Sequence, residues 1–277
     1  MIRQLRRMVP AAVLTVALAV GAGGCTATDA TAEAPATSAG ARPLTTDESQ
    51  RLAAMRFQNF DAGARAIETE VTDSGTRYTV TGWVDFTAEL GYGRIEGAAS
   101  GASLLAWTHA GISTYDGVPA DGSVPLPPPG TADGAQGWTS STLEPDASRL
   151  HALLAVVLHV GSERPDNPLL LQQTDARWLR TDTLDGLTLD VMSAPTADVV
   201  YVPETSTAAG DGSDSPLRYW LDESGTLHRM EVRLGGAGEW TTVDLADADG
   251  VSFAAAFTDE AGTEEAGTDE AAPAGAP

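Results

Sequence analysis

Two rhythms of apolar residues divide the middle of the chain. Leu52, Ala53, Phe57 and Phe60 fall on one broad side of a helix. It is entered through Thr45 and Glu48 at capping-box spacing and closed by Asp61-Ala62-Gly63. The period then drops to two. Ile67, Thr69 and Val71 alternate with Glu68 and Glu70, Asp73-Ser74-Gly75 turns the chain, and Tyr78, Val80, Val84 and Phe86 take even positions. That pattern predicts an antiparallel pair with one buried face. Further short strands are expected near 92–96, 103–108 and 111–115, followed by a proline-rich surface crossing over 117–137.

A second helix is predicted from Leu150 to Val160, with Gly161 as its stop. Leu150, Leu153, Leu154, Val157 and Leu158 form one stripe, and Ala152, Ala155, Val156 and Val160 fill most of the remaining circumference. So little polar surface requires cover on nearly every side, or a cavity alongside. Leu169–Leu171 then lead into a second run of strands: Trp178-Leu179, Leu187/Leu189/Val191, Val199–Val202, Leu217/Tyr219/Leu221, Met230/Val232/Leu234 and Glu239–Leu245. Asp222-Glu223-Ser224-Gly225 provides a hairpin turn in that run. Helix, strands, helix, strands, joined by sequential hairpins, gives an α+β fold: a curved antiparallel sheet with helices on one face.

The two ends follow other rules. Arg3, Arg6 and Arg7 precede an uncharged stretch from Met8 to Gly24 that ends in small residues. Residues 1–24 therefore read as a secretory signal peptide, with Arg6-Arg7 leaving Sec and twin-arginine export both open. Ala22-Gly23-Gly24 before the lone Cys25 resembles a bacterial lipobox, although Ala22 stands where Leu is usual. The expectation is acylation of Cys25, palmitate included, and attachment to the outer side of the cell membrane. The alternative is ordinary cleavage that leaves a free thiol. Residues 25–43 read as a lipidated N-terminus and disordered spacer, 44–257 as the folded domain, and 258–277 as an acidic disordered tail built on TDEAG-like repeats.

Composition narrows the chemistry. The basic side chains are all Arg, so a phosphate-binding loop Lys and every Schiff-base mechanism are excluded. One cysteine allows no intrachain disulfide and no CxxC pair. The formal charge of −23 falls to −26 once residues 1–24 and their three Arg are removed, which disfavours nucleic acid as a partner. It is consistent with a saline habitat, and the lysine-free, alanine-rich make-up with a GC-rich genome. His151 and His159 stand eight apart on one helix, while His109 and His228 sit in strand-like segments with no second His or Cys near them in sequence. No metal site is expected. Asp247, Asp249 and Gly250 evoke a calcium loop, but Leu245 and Ala256 occupy its first and last ligand positions. No catalytic residue and no cofactor are assigned. The six tryptophans lie mostly in strand segments as core or sheet-face residues, and Arg177, Arg180, Arg218, Arg229 and Arg233 are expected to pair with acids.

The run LRYWLDESGTLHRMEVRL at Leu217–Leu234 resembles the late hairpin of actinobacterial envelope lipoproteins of the LppX and LprG group, whose fold is similar to the LolA and LolB half-barrel. TVTGWVDF at Thr79–Phe86 is similar to an early strand of that group. The resemblance implies a strongly curved sheet with helices on its concave face and an apolar pocket for acyl chains. By that analogy Phe57, Phe60, Leu154, Val157 and Leu158, with Val84 and Phe86 from the sheet, are the candidate cavity residues. The function so implied is a non-catalytic, membrane-anchored carrier or binder of a hydrophobic molecule. The alternative is a regulatory or structural interaction protein of the envelope on the same half-barrel.

Overall fold

In a computed structural model, the structure describes residues 40–98, 101–130, 137–196, 210–234 and 239–258. Cys25, the expected strand Val199–Val202 and the tail beyond Thr258 lie outside the described residues. Helix α1 (Thr46–Ala62) begins with the full capping box: Thr45 Oγ1 accepts from the Glu48 N–H, and the Glu48 carboxylate accepts from the Thr45 N–H. Strands β2 (Ala64–Asp73), β3 (Thr76–Asp85), β4 (Leu90–Gly97), β5 (Gly101–Trp107), β6 (Gly111–Tyr115) and β7 (Trp138–Thr142) follow as a meander. After α2 (Arg149–His159) and α3 (Pro168–Leu171) come β8 (Arg177–Leu184), β9 (Leu187–Ser193), β10 (Leu217–Leu221), β11 (Leu227–Arg233) and β12 (Trp240–Asp247). A one-turn helix, α4 (Ala255–Thr258), ends the described chain.

With β1 (Arg42–Pro43) on the edge beside β8, the twelve strands form one open antiparallel sheet, ordered β1-β8-β9-β10-β11-β12-β2-β3-β4-β5-β6-β7. The two hairpin runs meet where β12 pairs with β2, Leu245 opposite Ile67. Inward residues from β9 across to β6 share one apolar cluster with α1 and α2. Nine strands laid flat would span about 40 Å, roughly twice the width of two helices, so the sheet must curl for one cluster to join them. The curl shows at Gly82 and Gly93, paired across β3 and β4, where a Cβ on either would enter the backbone opposite.

Parity sets the two faces. Ile67 and Val71, Val80 and Val84, and Val243 and Leu245 point to the helices. Leu90, Tyr92, Leu104 and Ala106 point outward, where Phe253 and the segment before β7 cover them. Helix α2 is tied to the sheet at its first turn. Ser148 Oγ donates to Asp73 Oδ2 over 2.6 Å, and the N–H groups of Arg149 and Leu150 bond the same carboxylate. Burial pushes that carboxyl up, but these donors outweigh it and hold the group below its ordinary range.

Three local expectations need correction. Arg42 and Pro43, assigned to the spacer, belong to the sheet, because Arg42 clamps Glu48 with hydrogen bonds of 2.6 and 2.8 Å and lies over the Trp178 ring. Leu169–Leu171 do not lead directly into a strand but form α3, since Asn167 caps the N–H groups of Leu169 and Leu170 and Pro168 fits the first helical position. Gly161 does not stop α2 with a left-handed turn. Val160 closes the helix, and the site needs Gly161 because a Cβ there would enter the Phe86 ring.

Candidate functional site

The seven residues expected around a cavity are not brought together in one. Val84, Leu154 and Val157 have no exposed surface and sit in the core. The space between α2 and the sheet is occupied by Trp107. Its indole lies over Gly91, where a Cβ would collide with the ring, and its Nε1 donates to the Leu154 carbonyl over 3.2 Å. Phe57 is half-buried on α1. Phe60, Phe86 and Leu158 do meet, in a crevice of about 450 Å³ at the C-terminal end of α2, rimmed by Arg56, Glu89, His109, His159 and Glu163. There the His109 and His159 rings stand edge to face with centroids 4.9 Å apart, so His109 has a histidine neighbour in space although none is near it in sequence. Burial pushes the His109 imidazole down and His159 adds to this, against Glu89 at 3.9 Å.

A larger opening lies on the opposite face of the sheet. Its volume is about 860 Å³, within the usual range for small-molecule sites. Outward positions of β2, β3 and β12 form the floor with the short side chains of Ala66, Thr81 and Ala246, beside Gly82, which adds no side chain of its own. The low floor lets the β8–β9 turn, with Leu184, Asp185 and Leu187, stand as one wall. Trp83 and Val124 form the other. Trp83 is half-buried and braced by Tyr92 and Phe253, ring centroids 6.4 and 6.5 Å away. Leu187 is 47% exposed.

The groove's polar groups are mainly paired. Arg229 Nε donates to Asp244, a hydrogen bond that raises the guanidinium pKa against the opposing effect of burial. Arg65 lies 3.6 Å from Asp247. Glu68 and Asp185 are exposed. An apolar wall on each side, a low floor and charges that are mostly paired with one another can hold an amphiphile by burial of its apolar part. The signal for this floor lay in the small residues at outward positions of β2, β3 and β12. That the β8–β9 turn rises beside them is a tertiary fact that no local pattern carries.

Ser224, Asp222 and His228 also converge, at the β10–β11 turn. Ser224 Oγ donates to Asp222 Oδ1 over 2.7 Å, and His228 Nε2 lies 3.1 Å from Asp222 Oδ2. The carboxylate stands between the hydroxyl and the imidazole, so the ring is not placed to take the serine proton, and the order needed for nucleophilic catalysis is absent from this cluster. It closes a turn. Burial raises the Asp222 carboxyl, but the donors from Ser224, His228 and Thr226 outweigh it and bring it down to about 2. Among the described residues no group of three or more His, Cys, Asp or Glu is arranged to hold a metal ion.

No family model and no protein of curated function gives a significant sequence match. Solved structures do match by shape. The Mycobacterium tuberculosis lipoprotein LppX aligns with a TM-score of 0.37 and 16% identity, over 70% of this chain and 93% of its own. A Vibrio parahaemolyticus domain described as an outer membrane lipoprotein-sorting protein aligns at 0.23 and 11%, over 75% and 95%. Both likenesses are distant. Nothing about function is drawn from either.

Proposed function

We propose that this chain is an extracytoplasmic lipoprotein, exported through residues 1–24 and held at the membrane by acyl chains on Cys25, whose folded part binds an amphiphilic, mainly apolar molecule without covalent chemistry. The observation that carries the binding reading is the 860 Å³ groove with Trp83, Leu184 and Leu187 in its walls. Burial of apolar area at roughly 25 cal/mol per Å² supplies the affinity. The ligand site of this reading is the outer-face groove. The crevice of Phe60, Phe86 and Leu158 is a second, smaller opening. Val84, Leu154 and Val157 support the sheet and offer a ligand no surface.

Native mass spectrometry of the full chain, extracted gently from the membrane, tests this. The expected result is an acyl mass on Cys25 together with a non-covalent adduct that is lost in Trp83→Ala. A chain that carries no small molecule under any mild extraction would oppose the carrier reading. The regulatory or structural interaction module would then stand, favoured by the buried Trp107 indole between α2 and the sheet.

A further inference from the structure

Leu169 and Leu170 are 64% and 60% exposed, side by side, in a fold whose other large apolar residues are mostly covered. They are not loose. Asn167 Oδ1 caps α3, Leu171 enters the main core, and the Asp166 N–H donates to the Ala53 carbonyl over 2.9 Å. Gln172 Nε2 donates to Thr46 Oγ1 over 3.2 Å, which fixes α3 beside the first turn of α1. The stretch from Asn167 to Thr174 is uncharged, bounded by Asp166 and Asp175. Two fixed, exposed leucines in an uncharged stretch of a chain of net charge −23 suit an apolar and electrically neutral partner.

The covalent path of the chain says which. The fold begins at β1, where Pro43 pairs with Arg177 at the start of β8, and Arg42 clamps Glu48 in the first turn of α1. Thr46, the residue Gln172 touches, lies within four residues of Arg42. Cys25 precedes Arg42 by seventeen residues, a reach of at most about 60 Å at full stretch. An acyl group on Cys25 therefore tethers the domain by the corner that carries Leu169 and Leu170. The far edge of the sheet is β7.

We infer that Leu169 and Leu170 form a second, non-covalent membrane contact, entering the surface of an uncharged leaflet to which Cys25 ties the domain. This rests on the reading that Cys25 is acylated. The docked side chains sit at the boundary between headgroups and acyl chains. Anionic lipid weakens the contact through the negative charge of the domain.

Acylation occupies the chain's own thiol, so a cysteine added elsewhere accepts a fluorophore uniquely. Leu170→Cys, with Leu169→Cys as its independent second and Thr139→Cys on β7 as the far-edge control, are labelled in the full acylated chain. Each is reconstituted in phosphatidylcholine vesicles whose acyl chains carry bromine. The labels at 169 and 170 are expected to be quenched at least about two-fold more than the label at 139, with less quenching when phosphatidylglycerol is added. Equal quenching at all three sites, or none, on a chain whose mass shows acylated Cys25 overturns the docking and leaves the anchor intact. An unmodified Cys25 overturns the anchor and the docking together.

Discussion

Arg65 Nη1 donates to Asn59 Oδ1 over 3.3 Å, with both residues almost wholly buried. Arg65 also donates to the carbonyls of Ala246 and Leu227, and Asn59 Nδ2 donates to the Val160 carbonyl over 2.7 Å. One polar network thus joins α1, the end of α2, β2, β12 and the start of β11. Burial pushes the Arg65 guanidinium down, with Asp247 and Asp222 opposing.

Asn59→Ala strands one Arg65 donor and the Val160 carbonyl. Its expected cost is about 2–3 kcal/mol, the usual range for a buried group hydrogen-bonded to a charge. Thermal unfolding of the variant should fall by about 5 °C or more. An unchanged midpoint would mean that the network contributes nothing to stability.

Trp107→Ala should open an apolar cavity beneath α2 at a cost of about 3–5 kcal/mol. Trp107→Phe keeps most of the filling and loses the bond to Leu154, for about 1 kcal/mol. Denaturant unfolding ranks the three proteins. If Trp107→Ala is no less stable than the parent, the indole does not fill that space.

The helix, strands, helix, strands order and the alternation in β2, β3, β9, β10 and β11 were legible before the structure, because hairpins and sheet faces are local, whereas β7 and α3 were not. Thr45 and Glu48 marked the start of α1, and Asp73-Ser74-Gly75 marked the first turn. Arg65 shares parity with Ile67 and Val71, but its partners on β11 and β12 lie far away in sequence. The filling of the α2 interface could not be read. Trp107 was one aromatic in a strand, and only the pairing of β4 with β5 sets it over Gly91. The groove was hidden for the same reason, since Leu184 and Leu187 lie more than a hundred residues from Ala66.

Asp222 sets a pH dependence. Its folded pKa of about 2 lies below the unfolded carboxylate value near 3.9, so its stabilisation is present above pH 4 and is lost as pH falls from about 4 to 2. Asp222→Ala should destabilise the chain by about 1–2 kcal/mol at pH 7. The difference from the parent should shrink across that acid window. Chemical denaturation at a series of pH values checks it, and a constant difference down to pH 2 would contradict the assignment.

Leu187→Glu places a carboxylate in the groove wall at a position already 47% exposed, so folding stability should move by no more than about 0.5 kcal/mol. Retention of the co-extracted apolar molecule should drop at least about tenfold, the loss expected for an unpaired charge facing apolar ligand surface. Thermal melting and native mass spectrometry on the same sample separate the two effects.

The most direct measurement is where an apolar ligand touches the fold. An uncharged long-chain alcohol bearing a photoreactive group is bound to the full acylated chain, irradiated, and its adducts are mapped by peptide mass spectrometry. Adducts on the peptides that carry Trp83 and Leu184–Leu187 are the expected result. Adducts concentrated on Leu150–His159, or none above an irradiated control with excess unlabelled alcohol, would contradict a binding site on the outer face of the sheet.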